Sequence, residues 1–273
     1  MHRSTRDSYP QHAPISKCCV VIPVYRPNPS ATEVFNLSIS AKNLANCDLA
    51  LCHPRSMNAD QYAILLPNCR RIPLDDYWFS SRESYSSLLL SEGFYILFAA
   101  YEYILILQTD AIVIRPNIQE WLDSRFDYIG APVGVQVNVN APELVGAFLP
   151  RCSPFLIRLP IGTVGNGGFS LRRVPSCIAI LRKWASFGES LRREGLPEDL
   201  FFMFAGVAGS DFNVPNEVTA SKFAVEMNGP DYVGLTGTLP TGLHAWEKYD
   251  TEFWKVTLQG LGYSPPAFAS NAQ

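Results

Sequence analysis

Long apolar runs, paired metal-binding histidines and clustered basic residues are all missing from this 273-residue sequence. The longest apolar stretch, Phe94 to Leu107, is interrupted by Tyr101-Glu102-Tyr103. It falls short of the roughly 20 apolar residues a membrane helix needs. The opening MHRSTRDSYPQHAPISK is polar and lacks the apolar core of a secretory signal. A cytoplasmic protein is expected, with peripheral association to a membrane left open. No basic run exists and the net charge is −3, which argues against a nucleic-acid partner. The four histidines, His2, His12, His53 and His244, show no HExxH or other paired spacing, so a zinc hydrolase is disfavoured. The seven cysteines, Cys18, Cys19, Cys47, Cys52, Cys69, Cys152 and Cys177, include no CxxC pair and are odd in number. Reduced thiols are expected in preference to disulfides or a zinc site.

What is present describes a folded chain. Apolar residues make up 47% and charged residues 17%, enough to bury a core. Cys18 to Val24 is a short continuous apolar run, as in a strand covered on both faces. Ser30 and Glu33 have capping-box spacing, and Val34, Leu37, Ala41 and Leu44 continue at helical spacing. Further strands are expected at Asp48–His53, Arg70–Leu74, Tyr103–Leu107, Ile112–Ile114, Tyr128–Ile129 and Gly167–Arg172. Helices are expected from Ser84 to Glu102 with a break at Gly93, from Pro175 to about Phe187, and from Glu198 onward. Ala131 to Pro160 is rich in Pro, Gly and Asn and reads as a long loop or partly helical insertion. Alternating strands and helices, with no repeat and no linker, predict one α/β domain over residues 17–264. Residues 1–16 read as a disordered lead-in and 265–273 as a flexible tail.

Four features carry chemistry. Tyr103–Leu107 runs into Gln108-Thr109-Asp110, and in open α/β sheets ligands bind beyond the carboxyl ends of the strands. A carboxylate there suits Mg²⁺ or Mn²⁺ bridging a diphosphate, although a turn or cap aspartate reads the same. Gly165-Asn166-Gly167-Gly168 lets the backbone approach a ligand, and Asn166 can donate to and accept from sugar hydroxyls. An ordinary glycine turn is the alternative; the GK[ST] of a triphosphate loop is missing. Glu198-Asp199 opens a helix, where an acid can serve as a general base or simply cap the helix. His244, within Gly242-Leu243-His244-Ala245-Trp246, could complete a metal site or be structural.

In this order the segments Val21 to Pro27, Leu105 to Ala111, Phe126 to Pro132, Gly165 to Arg172, Glu198 to Phe202 and His244 to Glu247 resemble a little-characterised family of glycosyltransferase-like proteins. More widely the chain resembles GT-A glycosyltransferases. That resemblance implies a Rossmann-related, mostly parallel sheet flanked by helices. It implies a nucleotide-sugar donor, with UDP the expected nucleotide, and a saccharide or other hydroxyl-bearing acceptor. Asp110 is similar to the second acid of the DxD motif, and Gln108 stands where the first acid would be. Pro23, Val24, Tyr25 and Arg26 resemble the nucleotide cradle. Gln108, Thr109, Asn166, Gly167 and Gly168 complete the implied donor site. Asp110 and His244 are the implied metal ligands, for Mn²⁺ or Mg²⁺. Asp199 is the implied base of an inverting displacement, with Glu198 as acceptor ligand or alternative base. A nucleotidyltransferase and a catalytically decayed carbohydrate-binding scaffold are the rival readings.

Overall fold

A computed structural model describes residues 17–133, 138–139, 157–158, 164–208 and 211–267. The expected lead-in, most of the Ala131–Pro160 segment and most of the expected tail lie outside the described residues. The strands are β1 (Cys18–Pro23), β2 (Asp48–Pro54), β3 (Arg70–Leu74), β4 (Tyr103–Leu107), β5 (Ala111–Val113), β6 (Tyr128–Gly130), β7 (Asn138–Val139), β8 (Ile157–Arg158), β9 (Phe169–Arg173), β10 (Ala224–Val225) and β11 (Gly242–His244).

Six of them form the main sheet in the order β3-β2-β1-β4-β9-β6. β1 to β4 pair in parallel, while β9 runs antiparallel to both β4 and β6. This is the mostly parallel sheet expected from the continuous apolar runs. Successive side chains in a strand face opposite sides. Accordingly Cys18, Val20 and Ile22 enter one apolar layer with Leu105 and Leu107. Cys19 and Val21 enter the other with Ile104 and Ile106. Helices cover both faces, which is why β1 and β4 show no polar alternation. Among the described residues, no helix is long and apolar enough to cross a membrane, and no disulfide joins the cysteines.

The first helix, Ala31–Asn43, starts as its sequence dictates. Ser30 Oγ accepts from Glu33 N–H at 3.2 Å, and the Glu33 carboxylate accepts from Ser30 N–H at 2.7 Å. Two expected boundaries are corrected. The break in the Ser84–Glu102 stretch falls at Leu90-Ser91, between helices Arg82–Leu89 and Glu92–Ile96, and Gly93 sits inside the second helix. Ser91 decides this, because its hydroxyl caps the new helix at Phe94 N–H, 3.3 Å away. The helix opened by Pro175 ends at Lys183, and a second one runs from Ala185 to Arg193. Trp184 makes the corner, its ring packed edge-on to Phe187 and Phe201.

A smaller sheet, β10-β11-β5, stands against the first. The antiparallel pairing of β11 with β5 places His244 opposite Ala111. That register carries a histidine from late in the chain to the residue that follows Asp110.

Candidate active site

β1 and β4 are neighbours in parallel, with Val21 opposite Ile106, so both deliver their carboxyl ends to one edge. A cleft of about 580 Å³ opens there. Pro23, Tyr25, Arg26, Gln108, Thr109 and Asp110 line it. Val24 does not: its side chain is 1% exposed and packs in the core, leaving only its backbone near the edge. The opposite wall is Phe79 to Arg82 with Tyr85, and Glu33, Glu247 and Lys248 also line the cleft. None of these was singled out as a site residue by sequence.

Glu33 ties this edge together. Its Oε1 accepts from Arg26 Nη2 at 2.9 Å and from Thr109 Oγ1 at 2.6 Å. Burial opposes its charge, but the Ser30 N–H, the Thr109 hydroxyl and the Arg26 guanidinium together hold its pKa below the usual value. Asn36, fully buried one turn on, donates to the Thr109 carbonyl at 3.0 Å and accepts from Trp246 Nε1 at 3.0 Å. One helix therefore fixes both the QTD turn and the segment after His244.

Asp110 is surrounded by cations. His244 Nε2 is 3.3 Å from its Oδ1, and Lys248 Nζ is 3.0 Å from its Oδ2. Burial by itself raises a carboxyl pKa, yet His244 and Lys248 outweigh it and hold Asp110 well below the usual carboxylate range. Glu226 Oε1 lies 3.2 Å from His244 Nδ1 on the far side of the ring. Burial disfavours the imidazolium, but the two flanking carboxylates win and push its pKa up to about 9. Neither ring nitrogen is aligned as a hydrogen bond, so these are ion-pair contacts around a buried, incompletely satisfied imidazole. Glu247 is the less settled acid: burial and then the Asp110 charge push it up to about 7, and its Oε2 is buried without a hydrogen-bond partner.

Ala245 turns the chain here. It adopts φ 48°, uncommon for a residue with a side chain, and its N–H donates to the Asp110 carbonyl at 2.9 Å. The turn sends Trp246 into the core and Lys248 back to Asp110.

These positions fit a divalent cation of the Mg²⁺ or Mn²⁺ type. Asp110 could supply an oxygen ligand and His244 a nitrogen ligand from adjacent positions. Among the described residues no cluster of three or more His, Cys, Asp or Glu is arranged for a metal. Two protein ligands nonetheless suit an ion that takes the rest of its shell from water and phosphate.

The glycine segment reaches the same place from β9. Asn166 Nδ2 donates to Glu226 Oε2 at 2.7 Å, and Asn166 Oδ1 accepts from Gly168 N–H at 3.0 Å. A Cβ on Gly168 would lie 2.2 Å from His244 Nε2. A Cβ on Gly167 would lie 2.4 Å from Glu198 Oε1. Both glycines are therefore required by close approach. Asn166, Gly167, Gly168, His244, Glu198 and Asp199 are not cleft-lining residues; contacts through His244 and Glu226 connect Asn166 and Gly168 to Asp110.

Glu198 and Asp199 part ways. Glu198 is buried, with Oε1 on Arg172 Nη2 at 2.9 Å and Oε2 accepting from Ser86 Oγ at 3.2 Å. Arg172 is 0% exposed. It also donates to Tyr95 Oη and Ser170 Oγ, and it lies over the rings of Tyr128 and Phe202. The Glu198 carboxylate is thus committed to the core. Asp199, half-buried, has its pKa raised to about 7 by burial and then by the Glu198 charge, with Arg172 opposing and Glu226 adding. The sequence placed both acids at a helix start and could not separate them, because the partner that does so, Arg172, comes from another strand.

Residues 68–244 match the model of a family described as "Protein of unknown function (DUF5672)". The chain belongs to this family. No curated protein is significantly similar to it. Among solved structures it is similar to the galactosyltransferase LgtC in complex with donor and acceptor sugar analogues: 13% identity, TM-score 0.53, covering 92% of this chain and 98% of that one. It is also similar to the WbbM bifunctional glycosyltransferase, apo structure: 12% identity, TM-score 0.51, 84% of this chain and 45% of that one. Mouse xyloside xylosyltransferase 1, apo form, gives 15% identity, TM-score 0.49 and coverage of 82% and 96%. The family member described here thus has the GT-A fold, with its six-stranded sheet flanked by helices.

Proposed function

We propose that this protein is a glycosyltransferase that moves a sugar from a nucleotide donor, UDP-linked in our reading, to a hydroxyl acceptor. The observation that carries the proposal is the convergence at one sheet edge. The Pro23-to-Arg26 turn and Gln108-Thr109-Asp110 share a cleft, and His244 is brought to 3.3 Å from Asp110 by a separate sheet. The GT-A fold supports it, since ligands in such sheets bind beyond the strand ends.

In this reading Tyr25, 62% exposed, offers a ring to the base. Arg26, Arg82 and Lys248 supply positive charge along the same cleft for a diphosphate. Gln108 contributes an amide where an acid is the commoner choice, to a ribose hydroxyl or a water. Asp110 and His244 would hold a divalent cation, which when bound stabilises charge on the departing diphosphate. Asn166, fixed by Glu226, presents polar groups to sugar hydroxyls. Asp199 takes the acceptor proton; its pKa of about 7 suits a general base at neutral pH. Glu198, locked to Arg172, serves as the fixed charge beside it. In this reading the transfer is a single displacement at the anomeric carbon with inversion.

The test is turnover of a panel of UDP- and other nucleotide-sugars with and without Mn²⁺, comparing wild type with Asp110→Ala and Asp199→Asn. Loss of turnover in both variants supports the assignment. Full activity in both sinks it, release of pyrophosphate from a nucleoside triphosphate favours nucleotidyl transfer, and absence of nucleotide binding favours a scaffold.

A further inference from the structure

Glu226 directly follows β10 and lies outside every motif visible in the sequence. Its two oxygens face two different elements. Oε1 is 3.2 Å from His244 Nδ1, and Oε2 accepts from Asn166 Nδ2 at 2.7 Å. The Asn166 amide is anchored at its other end, where Oδ1 accepts from Gly168 N–H at 3.0 Å. His244 in turn presents Nε2 to Asp110 at 3.3 Å. A continuous series of contacts therefore runs from Gly168 through Asn166, Glu226 and His244 to Asp110. It joins the glycine loop to the end of β4. The parallel pairing of β10 with β11, Val225 opposite Leu243, keeps Glu226 alongside His244.

We infer that Glu226 is the positioning residue of this site: it sets His244 to ligate a divalent cation shared with Asp110, and through Asn166 it couples that cation to the glycine loop. A carboxylate 3.2 Å from Nδ1 favours a proton on that nitrogen, so a cation that replaced the proton on Nε2 would find the lone pair facing Asp110. A ligating histidine backed by a carboxylate is both oriented and made more basic, and loss of such a partner weakens metal binding by roughly 10–100-fold. The inference rests on the cation reading under Proposed function and assigns a role to a residue that reading does not require.

The experiment is Mn²⁺ affinity, read by the electron paramagnetic resonance signal of the free ion in the presence of UDP, for wild type, Glu226→Ala and Glu226→Gln. Glu226→Ala is expected to bind Mn²⁺ at least about tenfold more weakly. Glu226→Gln keeps an acceptor oxygen for Nδ1 and is expected to recover part of that loss. Should Glu226→Ala not fold, Glu226→Met keeps the volume without the acceptor and replaces it. Affinity in the Ala or Met variant within twofold of wild type overturns the assignment and leaves the cation reading standing. Equal loss in the Gln variant and its apolar counterpart also overturns it, because charge and not positioning then accounts for the effect. Absence of Mn²⁺ binding in wild type overturns the cation reading and this inference together.

Discussion

Asp110 and Asp199 are the same residue type, both withdrawn from solvent, and their surroundings drive them in opposite directions. Asp110 ends a turn after β4 with His244 on one oxygen and Lys248 on the other, so it stays ionised. Asp199 begins a helix, where burial and then the neighbouring Glu198 carboxylate push its pKa up to about 7. Burial penalises charge in both; the sign of the neighbours decides the outcome. In the proposed function, carboxylates with separated pKa values would divide binding and proton transfer between them.

The largest expected effect comes from removing the titrating member. Asp199→Asn should lower kcat by about 10²–10⁴ with donor KM little changed, measured by steady-state release of nucleoside diphosphate. The next concerns what keeps Glu198 beside Asp199. Arg172→Met leaves the Glu198 charge buried and unpaired, and should cost about 3–5 kcal/mol in urea unfolding. A change near zero would show that the buried pair does not organise this end of the molecule.

The comparison sharpens with pH. If Asp199 is the base proposed above, its working form is the anion, and turnover in wild type should rise with pH through about 7. Glu198→Gln removes the like charge and leaves the Arg172 charge, which favours the Asp199 anion. The rising limb should therefore move to lower pH, by about one unit; a limb that stays in place means the titrating group is not Asp199. The smallest effect is expected at Lys248, whose side chain is 57% exposed. Lys248→Ala should change unfolding free energy by under about 1 kcal/mol, because solvent screens the pair. A loss well above that would make Lys248 part of the structural frame of Asp110.

Much of the fold was legible along the chain. Continuous apolar runs named β1 and β4 as strands covered on both faces, and the Ser30–Glu33 spacing gave the first helix cap at its correct residues. Pieces of the candidate site could be named along the chain too, because the QTD turn, the glycine segment and the Glu-Asp pair each leave a local pattern. Glu226, Asn36 and Arg172 leave no comparable pattern as site residues. Glu226 acts on residues 60 positions earlier and 18 later, and Asn36 bonds Trp246 across 210 positions. Arg172 lies within the glycine-segment motif, but its pairing with Glu198 depends on how β9 meets a later helix.

The sequence by itself determined which segments form strands and helices, since periodicity and capping are properties of neighbours along the chain. It also determined that a carboxylate would stand at the end of β4. Only the tertiary structure decided that His244 would meet Asp110, that Arg172 would claim Glu198, and that Asp199 would be left to titrate. Those outcomes depend on electrostatic contacts that act over a few ångströms in space, and only strand register and helix packing bring distant residues within that range.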